Sequence, residues 1–437
     1  MKIIRYPSPE AEEKIVAIAN RGMEFNSEDM AAVAKILADV KARGDAAVVD
    51  YTRRFDAPDL TVETLVVPKA QIDAAKDLVD DGFMTALHRS VDQVTEFHKR
   101  QLRNSWIATP RPGVMLGQLV NPVDAAGVYV PGAKGGTTPL VSSVLMGVIP
   151  AKIAGVKHIA MTTPPTRDGS INPYLLVAAA TVGVDVIYRA GSAWAVAALA
   201  YGTKTIRKVD VIVGPGNIYV TLAKKMVAGV VGIDMIAGPS EILVLADEAA
   251  NPEFIAADLL SQAEHDALAS SLLITLSETL AEKTLAALAR QLDQLERKSI
   301  AQQSLASFGG IMMVPDIETA VDLANRIAPE HLELQVKDPF AWIGSIRNAG
   351  AVFVGEYTPE PVGDYVAGPN HVLPTGGTAR FSSALSVDTF LKQTSLIHYS
   401  KAAFDRESGD VMRLAHAEGL GAHAGSVAVR GKFPGPT

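Results

Sequence analysis

Apolar residues recur at helical spacing through the first hundred or so residues, where MAAVAKILADVKARG and PKAQIDAAKDL each carry one apolar face. From Gly127 the rhythm changes. Short apolar runs rich in β-branched residues (GVYVP, HIAMTTPP, VDVIYR, VDVIVGPG, SEILVLAD) alternate with helical ones (LVSSVLMGVIPAKIAG, PYLLVAAATVG, AVAALAYG, YVTLAKKMVAG). Strands apolar on both faces and joined through helices predict a buried parallel sheet. A second series starts at Asn251: helix FIAADLLSQAEH, strand SLLITL, helix ETLAEKTLAALARQL, strand GGIMMVP, helix IETAVDLANRI, then HLELQV and AVFVGEY. After Leu385 the chain reads as helical again. The pattern predicts an α/β protein with two Rossmann-like parallel-sheet halves and small helical segments at its N- and C-terminal ends.

At 437 residues the chain is long enough for about two to four domains. Hydrophobic residues at 48% and charged ones at 20% are the mix of a globular protein rather than a disordered one. A net charge of -8 without a long basic block argues against a nucleic-acid partner. The opening MKIIRYPSPEAEEK turns acidic after a few apolar residues, unlike a signal peptide. No apolar run reaches the roughly 18 residues of a membrane span, so the expected setting is cytoplasmic and free of membrane. Cysteine is absent, which excludes disulfides, thiolate-bound zinc and iron–sulfur clusters. It also excludes a thiol nucleophile, so any oxidation of an aldehyde would proceed through its hydrate.

Neither half contains GxGxxG. Two glycine-rich turns follow predicted strands instead, VPGAKGG (Val130 to Gly136) and GPGN (Gly214 to Asn217), where backbone amides can approach a phosphate. In SQAEHD, Gln262 and His265 stand three apart and would share a helix face. An amphipathic helix turning into solvent would give the same spacing. His88 and His98 sit beside basic residues and read as solvated; His158, His398 and His416 read as structural. PEHLEL differs, because Glu330 and His331 lie between a helix and a strand, expected at the carboxyl edge of the sheet, where an acid and an imidazole can carry protons in turn. The alternative is a surface pair at a helix end. The long segment PEPVGDYVAGPNHVLPTGG holds Asp364, Tyr365 and His371 among four glycines and four prolines, too particular a composition for a spacer. EGLGAHAG adds Glu418 and His423. Gln262, His265, Asp364 and His423 together would supply two imidazoles and two oxygen donors, a set suited to zinc, although spacing alone does not bring them together.

SQAEH, PEHLE, GDYVAGPNHVLPT, GPGN, AGPSE and EGLGAH occur in the order found in histidinol dehydrogenases, and over essentially its whole length the chain resembles that family. The resemblance implies a homodimer with shared active sites, dependent on NAD and on one zinc per subunit, that oxidises L-histidinol through L-histidinal to L-histidine. It implies Gln262, His265, Asp364 and His423 as zinc ligands and Glu330 and His331 as the catalytic pair. Ser240, Tyr365, His371 and Glu418 become substrate contacts beside these residues, and Tyr129 and Asn217 cofactor contacts. GSAWAV stands where the family usually reads GGAQAI, so Trp194 occupies a position that commonly holds a cofactor-contacting Gln; an indole there can stack on a ring or cover a sugar. The implied organisation is an N-terminal helical segment over 1–25, a larger α/β domain from 26–128 with 240–385, an NAD-binding domain over 129–239, and a C-terminal domain over 386–437 reaching the partner subunit. The competing readings are a related zinc and NAD dehydrogenase of another small alcohol, a zinc hydrolase using Glu330 on a metal-bound water, and a non-catalytic zinc-stabilised assembly protein.

Overall fold

The computed structural model describes residues 1–20, 25–132 and 139–431, so the AKGG part of the first glycine-rich turn lies outside the described residues. Six parallel strands form one sheet: β1 (Ile3–Arg5), β9 (Glu241–Ala246), β10 (Ser270–Thr275), β11 (Gly310–Met313), β12 (His331–Gln335) and β13 (Ala351–Val354). Their order across the sheet is β1-β11-β10-β9-β12-β13. Alternate residues of its central strands face two separate cores. Ile242, Val244, Leu273 and Ile311 pack with helices Pro252–Ala263 and Glu278–Leu292, whereas Leu243, Leu245, Leu272 and Met312 pack with helices Pro9–Asn20 and Ile317–Ile327. Burial on both faces explains why these strands read as continuous apolar runs.

A second parallel sheet takes β4 (Ala125–Tyr129), β5 (His158–Thr163), β6 (Val186–Arg189), β7 (Val211–Val213) and β8 (Gly232–Ile233) in the order β6-β5-β4-β7-β8. The chain runs outward from β4 to β6 and then crosses back to place β7 beside β4. The strand order therefore reverses between β4 and β7, and in open α/β sheets such a reversal opens a crevice at the carboxyl ends of the two strands. The six-stranded sheet reverses in the same way between β9 and β12. These are the two parallel-sheet halves expected from the sequence.

Both parallel sheets belong to one compact unit, residues 1–101 with 123–390; the second unit comprises 102–122 with 391–437. The second is built on an antiparallel sheet ordered β14-β3-β2, from β2 (Trp106–Arg111), β3 (Val114–Pro122) and β14 (Leu391–Tyr399), followed by helices Lys401–Ala417 and Gly421–Arg430. The stretch after Leu385, expected to be helical, thus contributes one short 3-10 turn, Val387–Phe390, and then a strand before its two helices. LKQTSLIHY is mostly exposed along its length, so it carries little apolar signal of either period. Among the described residues no helix is long and apolar enough to cross a membrane.

Two further expectations change with the structure. His98 is fully enclosed rather than solvated; its Nδ1 lies 2.7 Å from Gln101 Oε1, and its Nε2 lies 3.5 Å from the Asn370 amide. Trp194, expected against a cofactor, is a core residue with only 4% exposure. Its indole N–H donates to Thr52 Oγ1 at 2.9 Å, and its ring lies nearly parallel to Tyr51 and Phe55, with centroids 5.8 and 5.6 Å away. The alanine-rich helix Ser192–Tyr201 leaves room for that ring between itself and helix Asp45–Phe55. Trp194→Ala should therefore lower the free energy of unfolding by about 3–5 kcal/mol, read from the denaturant midpoint, through the cavity and the unpaired Thr52 hydroxyl that it leaves.

Candidate active site

Helix Ile317–Ile327 ends at Ala328 in the left-handed region, φ 54°, a conformation that residues other than glycine seldom adopt. Pro329 follows and delivers Glu330 and His331 to the start of β12. This is the amino edge of the sheet, not the carboxyl edge expected from the α/β rule. The reason lies in the neighbouring strand. Glu241 opens β9, and the two glutamates hold each other: the Glu241 N–H donates to Glu330 Oε2 at 2.9 Å and the Glu330 N–H to Glu241 Oε2 at 3.1 Å. The Gly376 N–H donates to Glu241 Oε1 at 3.0 Å, tying the long loop to the same carboxylate. The Glu241 carbonyl accepts from His331 Nδ1 at 2.8 Å, which leaves the lone pair on Nε2.

Along β12 polar and apolar residues alternate. His331, Glu333 and Gln335 share one face, while Leu332 and Leu334 fill the core behind. Gln335 Nε2 donates to both Glu333 Oε2 at 2.8 Å and Asp258 Oδ2 at 2.9 Å, and Glu333 Oε1 accepts the Glu360 N–H at 3.1 Å. Glu360 and Asp364 lie four apart on the short helix Glu360–Tyr365 and so share its face. His331, Glu360 and Asp364 each bring a potential ligand atom within 4.8 Å of the others. His371 Nδ1 stands 3.9 Å from Asp364 Oδ1. Gln262 and His265 meet where helix Pro252–Ala263 ends, the amide nitrogen 2.9 Å from His265 Nδ1, and His265 lies within electrostatic reach of both His331 and His371. The spacing of three in SQAEHD thus joins the pair across a helix end rather than along a helix face.

Burial controls the charge here. It pushes Glu330 and Glu333 well above the usual carboxylate range and Glu360 up to about 9, with neighbouring carboxylates adding to the effect. Burial pushes His331 down to about 4, against the pull of Asp364, so its imidazole is neutral at neutral pH. A pocket crowded with carboxylates that resist ionisation is one that a bound cation would relieve. Two more observations fit a cation: Gln262 Oε1 and His371 Nε2 are buried without a hydrogen-bond partner among the described residues. Gln262, His265 and Asp364 are suitable ligands, and Asp364 is shared with the His331–Glu360–Asp364 group.

The remaining expected residues are placed as follows. Ser240 immediately precedes Glu241. Tyr365 ends its short helix with an exposed side chain. Tyr129 ends β4, and Asn217 caps helix Ile218–Val227, its Oδ1 accepting from the Tyr219 and Val220 N–H groups. Both stand at the carboxyl ends of β4 and β7. Asn217 is exposed, whereas Tyr129 is enclosed in the core with its hydroxyl accepting the Ser192 N–H at 3.1 Å, so that of Tyr129 the backbone end rather than the ring faces the turn. Glu418 and His423 lie in the second unit, at the end of helix Lys401–Ala417 and in helix Gly421–Arg430, and are exposed. Sequence reasoning passed over Glu241, Asp258, Glu333 and Glu360. The polar alternation of HLELQ and the i,i+4 spacing of Glu360 and Asp364 were signals that could have found two of them.

A sequence model of the family described as histidinol dehydrogenase matches residues 19–431. The chain belongs to the histidinol dehydrogenase family. The histidinol dehydrogenase of Desulfotalea psychrophila is 55% identical over 97% of this chain and 98% of that protein. The one from Heliobacterium mobile is 51% identical over 98% of this chain and 99% of its own length. The crystal structure of histidinol dehydrogenase from Elizabethkingia anophelis superposes with a TM-score of 0.92 at 39% identity, covering 99% of this chain and 98% of that one.

Within this family member, Glu241 should matter as much as the groups that it positions. Glu241→Ala leaves the buried Glu330 N–H unpaired, at about 1–3 kcal/mol, and the half-buried Gly376 N–H without its acceptor. Denaturant unfolding should register that loss, and Glu241→Gln, which keeps one acceptor oxygen, should lose less stability and less turnover than Glu241→Ala.

Proposed function

We propose that the protein is a histidinol dehydrogenase that oxidises L-histidinol through L-histidinal to L-histidine with two NAD, the closing steps of histidine biosynthesis. The observation carrying this reading is the set Glu330–His331–Asp364–His371 gathered beside Gln262 and His265, in a chain that matches the family along its length. Gln262, His265 and Asp364 would hold zinc, with His423 of the partner subunit as the fourth ligand. When bound, zinc supplies a positive charge and positions for an amino alcohol, and NAD accepts the hydride. The cofactor is assigned to the 129–239 half, where Tyr129 and Asn217 flank the strand-order reversal.

His331 does the first proton transfer. Its Nδ1–H is committed to the Glu241 carbonyl, so Nε2 takes the hydroxyl proton as hydride leaves the carbinol carbon. Glu330 acts in the second oxidation. In its ionised form, which a bound cation would favour, it would be a stronger base than a solvated carboxylate because burial raises its pKa, suited to drawing a proton from the water that adds to the aldehyde. Ser240, Tyr365 and His371 would contact the substrate, with Glu418 of the partner subunit. The chain contains no cysteine, and this route requires none. Such biosynthetic chemistry fits a cytoplasmic enzyme.

The deciding measurement is NADH formation from L-histidinol and NAD by purified protein. Turnover is expected, and it should vanish on zinc chelation and return on adding zinc; full activity in chelated, zinc-free protein would remove the metal assignment. In the same assay Glu330→Gln should slow oxidation of supplied histidinal more than that of histidinol, by about 10²–10⁴-fold for a lost general base, while His331→Asn should hurt the alcohol step at least as much.

Homodimerisation with shared sites is supported by the second unit, whose β2 is exposed along its whole length and whose surface includes Trp106, Ile107, Ile397 and Leu414. Refolding inactive His265→Asn together with inactive His423→Asn protein should restore part of the activity, since one site of each heterodimer receives both lesions and the other neither. Verified heterodimers without activity would mean that each site is built within one chain.

A further inference from the structure

Helix Ile218–Val227 carries a lysine on its enclosed side. Lys224 is 2% exposed, and its ammonium pairs with Asp234, whose side chain is completely buried. Both partners reach the same residue. Lys224 Nζ donates to the Gly214 carbonyl at 2.9 Å, and Asp234 Oδ2 accepts the Gly214 N–H at 2.8 Å. Asp234 Oδ1 also accepts the Met235 N–H at 2.7 Å. One ion pair therefore holds both backbone polar groups of Gly214, the first residue after β7.

Gly214 has no freedom to spare. Its φ of 113° suits glycine alone, and a Cβ there would fall 2.1 Å from the Tyr129 carbonyl oxygen. The turn Gly214–Asn217 is thereby pressed against the end of β4, between Tyr129 and the helix that Asn217 caps. Asn217 spends its carbonyl oxygen on that cap, which leaves its amide hydrogens as donors. Stability is a poor reason for this pair, because burying two charges carries a desolvation cost that a hydrophobic pair of similar volume avoids. Strand-order reversal, a locked glycine and a buried ion pair coincide at one turn.

We infer that Lys224 and Asp234 are positioning residues for the dinucleotide: their ion pair sets the height of the Gly214–Asn217 turn against Tyr129 and so sets the affinity for NAD. This rests on the assignment of the cofactor to the β4/β7 crevice. The segment after Asp234 runs directly to Glu241, with Ala237 accepting from Thr221 at 3.3 Å, so the ion pair and the glutamate clamp stand at the two ends of one short stretch.

The test is the double variant Lys224→Met/Asp234→Leu, examined for denaturant midpoint, zinc content, NAD dissociation constant by calorimetry without substrate, and the Michaelis constants for both substrates. The expected result is an unchanged or higher midpoint, full zinc content, an unchanged constant for histidinol, and NAD binding weakened about tenfold or more, as small misplacements of binding groups produce. A folded, zinc-replete double variant that binds NAD within about twofold of the parent overturns the inference. Should the double variant not fold, Asp234→Asn keeps the shape while removing the charge and must weaken NAD binding in the same direction; unchanged binding overturns the inference again. Asn217→Ala examines the underlying assignment. If it weakens NAD binding and the pair variants do not, the assignment stands and the inference falls. If the pair variants weaken binding and Asn217→Ala does not, the inference stands through the backbone of the turn, and Asn217 loses its assigned contact.

Discussion

Glu241 and Glu330 each bury a carboxylate, and each accepts the other's backbone N–H. Each carboxyl group gains a backbone donor inside the protein, which offsets part of its desolvation even as burial and the neighbouring glutamate push the Glu330 carboxyl up. Together they fix the start of β12 against the start of β9, and the consequences spread from there. His331 is aimed by the Glu241 carbonyl, the Gly376 amide draws in the loop that follows Asp364, and the next residues of β12 line up the Glu333 and Gln335 carriers of Glu360. Removing this one reciprocal contact would loosen Glu330, His331 and the Gly376 end of the loop together.

The two halves use the same topology differently. In the five-stranded sheet the carboxyl ends of β4 and β7 carry Tyr129 and the Gly214–Asn217 turn, as the general rule for α/β sheets expects. In the six-stranded sheet the reversal falls between β9 and β12, yet Glu330 and His331 sit at the opposite, amino edge, where acid side chains rather than helix starts supply the polar floor. On the proposed assignment, a hydride acceptor on one sheet and proton carriers on the other would let two oxidations share one pocket.

The alternation of apolar strands and helices made both parallel sheets legible in the sequence, since strands buried on two faces cannot hide their composition. The second unit was not, because β14 is polar and exposed and its partner strands lie far away along the chain. Gln262, His265, Glu330, His331, Asp364 and His371 could be identified as chemistry-bearing residues, but only the family resemblance connected them. Glu241 and Glu333 escaped notice because a lone glutamate in SEILVLAD or HLELQV reads as an ordinary polar position until its neighbours are known. Trp194 misled for a related reason: aromatic character says what a side chain can touch, while the Tyr51 and Phe55 rings decide what it does touch.

The three-stranded unit pairs Val114–Pro122 with Leu391–Tyr399. On a ribosome the hairpin Trp106–Pro122 emerges early and must wait, its outer edge unpaired, until nearly the whole chain has been synthesised. Loop closure over such a distance is slow, as it is for the pairing of β1 with β11 in the six-stranded sheet. Until β14 emerges the nascent chain carries a hairpin with an open edge, a template on which chaperone binding and strand exchange between neighbouring chains compete with completion.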